Sequence, residues 1–209
     1  MDKVNSDKPR GRPRSFDREA ALERAMQVFW KQGYEATSIQ DLTRAMGINP
    51  PSLYAAFGDK ERLFMEAVER YERECGPAVA CILDEAPTAR AAIERLLMES
   101  ASQMARSGEP RGCMLINAAT NCSAASVQDA LAVRREDQKA ALKARLDRGL
   151  REGELPRGTD TGGLADFYTT VLQGMSIRAR DGATRKGLAA AAETAMRAWP
   201  QSAPKRRQT

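Results

Sequence analysis

Basic side chains gather near both ends of this sequence, and they are the first residues whose type and spacing suggest a chemistry. Lys8, Arg10, Arg12 and Arg14 stand close together near the start, and Lys205, Arg206 and Arg207 near the end. Such clusters attract polyanions such as nucleic acid, although many serve only as solubilising tails. The net charge of +5 is mild, so its placement says more than its size. Histidine is absent. That removes the commonest general base, the Ser-His-Asp and Cys-His arrangements and every imidazole metal ligand. Acidic neighbours such as Asp84 and Glu85 exist, but nothing gathers a nucleophile and a base, so an enzyme is not expected. The four cysteines, Cys75, Cys81, Cys113 and Cys122, lack the C-x-x-C spacing of a thiolate zinc site. No metal and no cofactor are expected, and in a reducing compartment such thiols default to buried, free side chains.

The elements that must position these groups read as helices throughout. The chain has 209 residues, 42% of them hydrophobic, which suits one large domain or a small one joined to a larger. No apolar run approaches the ~18–20 residues needed to span a bilayer, and the N-terminal stretch lacks an apolar signal core. A cytoplasmic protein with no membrane partner is expected. Residues 1–14 read as a flexible basic arm and 201–209 as a basic tail. From Asp17 onward Leu22, Ala25, Val28 and Phe29 recur at three- and four-residue spacing, with Asp17 as N-cap and Gly33 closing the helix.

A second, short helix follows Thr37, which with Gln40 forms the expected capping box. Leu42, Ile39 and Ala45 or Met46 face inward and Gly47 ends it. Ile48 is an apolar plug, Asn49 caps a third helix that opens at Pro50, and Leu53 and Phe57 anchor that helix. Gly58 ends it, and Asp59 caps a fourth from Lys60. Two short helices separated by Gly47-Ile48-Asn49 make a helix-turn-helix: the glycine permits the tight turn, the plug pins it, and the second helix protrudes. Further helices are expected from Lys60 until Gly76-Pro77 interrupts or bends the chain, then over 88–106, 126–151, from Thr159 or Asp160 onward, and over 184–199. A short apolar segment covers 113–121. Few stretches alternate, so the fold class is all-α, with a helix-turn-helix domain over 15–62 and a helical regulatory and dimerisation domain over 63–200.

The run Thr37-Ser38-Ile39-Gln40-Asp41-Leu42 through Gly47-Ile48, then Ser52-Leu53-Tyr54-Ala55-Ala56-Phe57-Gly58-Asp59-Lys60-Glu61-Arg62-Leu63, resembles the TetR/AcrR family of bacterial regulators. The likeness spans about residues 15–65. The tract Leu172-Gln173-Gly174-Met175 and the final helix match that family's dimer-forming end in outline. The resemblance implies a homodimer whose two heads occupy a pseudo-palindromic operator on double-stranded DNA. It usually implies repression, relieved by an inducer.

In a helix-turn-helix the first turn of the second helix approaches base edges. Here that turn is Pro50, Pro51 and Ser52, with Ala55 one turn on; the resemblance adds Gln40 from the preceding helix. Gln40 and Ser52 can hydrogen-bond bases, whereas the prolines and Ala55 offer only apolar contact, for instance with thymine methyls. So thin a code implies that DNA shape or the arm supplies part of the specificity. Tyr54 and Lys60 match the family's phosphate-binding tyrosine and lysine, and Thr37 and Ser38 can offer hydroxyls or a helix N-terminus to phosphate. The arm, Pro9-Arg10-Gly11-Arg12-Pro13-Arg14, resembles an AT-hook core, which places Arg10 and Arg12 in a narrow A·T minor groove.

In the larger half, Cys113 follows Arg111-Gly112, and a glycine-cysteine start here resembles a subgroup of the family, some of whose members sense electrophiles or oxidants through a thiol. A helix N-terminus and Arg111 would favour the thiolate. A small-molecule pocket is expected among the middle helices, with Met104, Asn117, Phe167, Tyr168 and Met175 as candidates, each of which also suits plain core. The dimer is expected to bury Leu172, Met175, Leu188, Ala192, Ala195 and Met196 in a four-helix arrangement. The alternative reading is an architectural protein that coats DNA without a ligand or a preferred site.

Overall fold

The computed structural model describes residues 16–108, 110–119 and 122–201; Arg10, Arg12 and Arg14, with the tail beyond Gln201, lie outside them. The described residues form nine helices and no strand: α1 (Arg18–Gln32), α2 (Ile39–Met46), α3 (Pro50–Phe57), α4 (Lys60–Glu85), α5 (Ala89–Met104), α6 (Met114–Asn117), α7 (Ala125–Arg151), α8 (Thr161–Arg180) and α9 (Arg185–Met196). The all-α expectation holds. Asp17, Asn49 and Asp59 cap α1, α3 and α4 with their side chains, as the sequence suggests. The second helix differs. Its N-cap is Ser38, and its capping box pairs Ser38 with Asp41 rather than Thr37 with Gln40. Thr37 instead turns inward, 1% exposed, and its hydroxyl donates to the Gly33 carbonyl at 2.6 Å. Gly47 takes φ +69°, ψ 32°, the left-handed conformation that lets the chain reverse between α2 and α3.

Two apolar clusters organise the molecule. The first joins α1–α3 and the opening turns of α4 (the head), through Leu22, Phe29, Leu42, Leu53, Phe57 and Phe64, to Met114 and Leu115 of α6 and Val127 and Leu131 of α7. Phe29 meets Phe64 edge-on, with ring centres 5.1 Å apart. The second (the body) is built from the end of α4, α5, the latter half of α7, α8 and α9. Packing therefore does not divide at residue 62: Leu63, Phe64, Ala67, Val68 and Tyr71 of α4 belong to the head's cluster, while Ile82 and Leu83 belong to the body's.

Between them residues 73–80 of α4 are exposed all round, and Pro77 sits inside the helix without breaking it. Of the interruption or bend expected at Gly76-Pro77, the interruption does not occur. A proline removes the bond to the carbonyl four residues earlier, here that of Arg73, and on a fully solvated stretch water can take that carbonyl.

Candidate nucleic-acid interface

The short helix α3 presents the candidate reading surface. Leu53 and Phe57 fix its inner side at 0% and 3% exposure, leaving Pro50, Pro51 and Ala55 exposed and Tyr54 48% exposed. Arg18 locks this placement by three contacts. It lies 4.4 Å from the centre of the Phe57 ring, donates to the Ala56 carbonyl at 3.4 Å and pairs with Glu66 at 2.6 Å. Asn49 accepts from the Ser52 amide at 2.9 Å, and prolines fill the two positions before it. The N-terminus of α3 thus has no amide to spare, so whatever it reads it reads with side chains. Ser52 is half-buried, and its hydroxyl makes no hydrogen bond among the described residues.

Around this surface the candidates separate. Gln40 is exposed on α2. Ser38 is exposed, but its hydroxyl donates to the Asp41 carboxylate at 2.5 Å, and the Ser38 hydroxyl and amide hold that carboxyl below its ordinary range. Thr37, buried and bonded inward, has no hydroxyl to offer phosphate, which removes it from the contact surface. Lys60 stands 4.4 Å over the Tyr34 ring and donates to the Glu35 carbonyl at 3.5 Å. Partial burial lowers its ammonium pKa, with Glu35 opposing. It is an aimed cation rather than a free-swinging one.

The structure adds one residue that the sequence reading missed. Arg44, its side chain 73% exposed, lines a hollow of about 460 Å³ with Phe16, Asn49 and Ser52, beside the reading helix. Its Asp41 partner is 3.9 Å away, too far to hold it. The signal available in the sequence was position: Arg44 lies five residues before the cap of α3.

The body's candidates do not converge on one cavity. Tyr168 and Met175 are core, Met104 is half-buried where the two clusters meet, and Phe167 faces outward at 40% exposure. Asn117 is buried and engaged: its amide donates to the Arg111 carbonyl at 2.7 Å, and its oxygen accepts from Ser176 at 3.4 Å. Cys113 is buried, and its sulfur accepts from the Tyr71 hydroxyl at 3.4 Å. Burial pushes its thiol pKa up, outweighing Tyr71, the Leu115 and Ile116 amides and Arg135, all of which pull down. Arg111, expected to favour the thiolate, instead donates to the Ala183 carbonyl at 2.6 Å.

The dimer expectation fares similarly. Met175, Leu188, Ala192, Ala195 and Met196 are at most 7% exposed within the single chain, where they pack with α5 in its own core. Only Leu172 retains partial exposure. Period alone cannot say which side of a helix faces its own core.

This geometry is that of a helix-turn-helix DNA-binding head carried on a helical body. Residues 21–67 match the bacterial regulatory proteins of the tetR family, and 89–199 match the tetracyclin repressor-like C-terminal domain. The chain belongs to the TetR family of transcriptional regulators, whose members act on double-stranded DNA as homodimers. It is 39% identical over 93% of its length to the HTH-type transcriptional repressor ComR of Escherichia coli (strain K12), covering 94% of that protein. It is 30% identical to the repressor BdcR of the same organism, over 88% of this chain and 90% of that one. A cysteine mutant of the TetR family regulator CifR, complexed with 26 bp double-strand operator DNA, superposes with a TM-score of 0.87 at 45% identity. That likeness covers 91% of this chain and all of the other. No helix among the described residues is long and apolar enough to cross a membrane.

Proposed function

We propose that this chain is a cytoplasmic repressor rather than an enzyme, binding an inverted-repeat operator as a homodimer and releasing it in response to an effector. The observation that carries the reading is α3, locked on its inner side by Leu53, Phe57 and Arg18 and offering Ser52, Tyr54 and Ala55 outward. Gln40 and Ser52 read bases; Tyr54, Lys60, Ser38 and Arg44 hold phosphates; Arg10, Arg12 and Arg14 follow the adjoining minor groove. The names of the two E. coli relatives support repression.

The open sides of α8 and α9 form the dimer contact. Phe167, Thr170, Gly174 and Ile177 line one edge of α8 outside the core, and Ala190, Ala191, Thr194 and Ala198 lie exposed at the far end of the chain. Leu172, only partly covered, borders that surface.

DNase footprinting on DNA flanking the protein's own gene tests the reading. A protected inverted repeat is expected; diffuse protection at every concentration would favour the DNA-coating alternative. Lys60→Ala should flatten the salt dependence of operator binding by about one unit of slope. A thiol response at Cys113 is the second reading, supported by its hydrogen bond from Tyr71 and by the cysteine-substituted operator complex of the CifR relative. Cys113→Ser should then abolish release by a thiol oxidant, and release that persists would remove it.

A further inference from the structure

A cleft of about 420 Å³ opens where the head meets the body. Its head wall is Trp30 and Lys31 of α1, and its body wall is Pro110 and Arg111 of the α5–α6 loop, Asn117 of α6 and Arg180 of α8. Three cations from three separate parts of the chain face one hollow, and its described lining includes no carboxylate. Several arginines elsewhere are paired. Arg70 reaches Glu19, Glu23 and Glu74, Arg134 pairs with Glu72, and Arg145 pairs with Glu154. Lys31 and Arg180 make no ion pair among the described residues.

The same walls hold two unpartnered donors. Trp30 Nε1 and Arg111 Nε are sealed from solvent with no hydrogen-bond partner. Gathered like charges repel, and an anion seated here relieves that repulsion. The volume falls within the range of small-molecule sites. The indole of Trp30 and the ring of Pro110 add apolar surface that a bare inorganic ion would leave unused.

We infer that this cleft binds a small organic anion with a flat apolar body and one or two carboxylates. Lys31 and Arg180 attract its charge, Arg111 and Asn117 floor the site, and Trp30 packs on its flat face. The site is distinct from Cys113, whose sulfur is buried against Tyr71. An occupant touches α1 and the α5–α6 loop at once, next to the place where Gly33 meets the Asn117 carbonyl. It therefore shifts the head's arrangement to the extent that it prefers one arrangement over another. That consequence rests on the regulator reading above; binding itself does not.

Calorimetric titration of the full chain with phthalate, with its neutral diamide and with inorganic phosphate tests the site. Phthalate should give a saturable heat at one site per chain, the diamide none, and phosphate at least tenfold weaker binding. Lys31→Gln with Arg180→Gln, both at exposed positions, should weaken phthalate at least tenfold while leaving the ligand-free footprint unchanged. No saturable heat, or equal affinity in the double variant, overturns the site. Equal affinity for phosphate overturns the organic character of the ligand. A chain that binds phthalate but protects no operator would count against the regulator reading and leave the cleft standing.

Discussion

Each of the head's four helices begins at a side chain that caps it: Asp17, Ser38, Asn49 and Asp59. The middle of the chain is built differently. There α6 and α7 begin at Cys113 and Ala124 with no side-chain cap at all. Much of what holds those starts comes from far away in sequence. The Cys113 amide donates to Ser176 of α8 at 2.8 Å, and Ser123 donates to the Glu35 carboxylate through both its amide and its hydroxyl. Gly112 takes φ +82° so that the backbone can press against Ser176, where a side chain would stand 2.7 Å from a carbonyl oxygen. The head thus carries its instructions locally, whereas the segment behind it is positioned by both neighbours. An element held from two sides suits the relay between a sensing body and a DNA-binding head.

The most disruptive way to test that contrast is Phe64→Ala. Phe64 is fully buried in the cluster shared by the head and α6, and its removal should cost about 3–5 kcal/mol. Hydrogen exchange should then show α6 opening together with α2 and α3 while α9 stays protected. If α6 keeps the protection of α9, it belongs to the body and the contrast collapses.

Pro77→Ala acts in the opposite direction. It restores the amide that α4 lacks on its solvated span, and should stabilise the chain by up to ~3 kcal/mol in denaturant melts. It should also stiffen a helix that runs through both clusters. A destabilised variant would show that Pro77 makes contacts beyond its own helix.

A paired comparison is finer. Ser176→Ala leaves the buried Cys113 amide without its acceptor and the Asn117 oxygen without its donor, at about 1–3 kcal/mol. Ser38→Ala removes a surface cap, at about 1 kcal/mol. The long-range anchor should therefore cost at least as much as the local one. The reverse order would mean that α6 has local support of its own.

The same contrast explains what could be read from the sequence. Caps, glycine stops and the Ile48 plug act over a few residues, so helix order, the turn and the outward residues of α3 were legible. The cap of α2 was misplaced by one residue because Thr37 and Ser38 are both competent caps; burial against Gly33 decides between them. Gly76-Pro77 suggests an interruption or a bend because exposure, invisible in the sequence, is what makes Pro77 tolerable inside α4. The inner faces of α8 and α9 suggest a dimer surface in sequence because an alanine-rich stripe suits either use. The role of Arg111 is hidden in the sequence because its acceptor, Ala183, lies seventy-two residues away.

The smallest expected effect separates the two kinds of helix start by acid. The Ser38 hydroxyl, with its amide, holds the Asp41 carboxyl below its ordinary value of 3.8. A carboxyl whose folded pKa is depressed contributes stability that is present above its unfolded value and lost as pH falls through the folded one. Amides in the first turn of α2 should therefore lose exchange protection as the solution is acidified below 3.8, relative to an Asp41→Asn variant. The asparagine can still accept from Ser38 but does not titrate. The starts of α6 and α7 have no capping carboxylate, so acidification over that range should reach them only through Glu35, whose carboxyl the Ser123 amide and hydroxyl hold low. Glu35→Gln should flatten the response at Ser123 and leave that at Ser38 intact. If one substitution flattens both, the two starts open as one unit, and the capped and uncapped helices do not differ in how they are held.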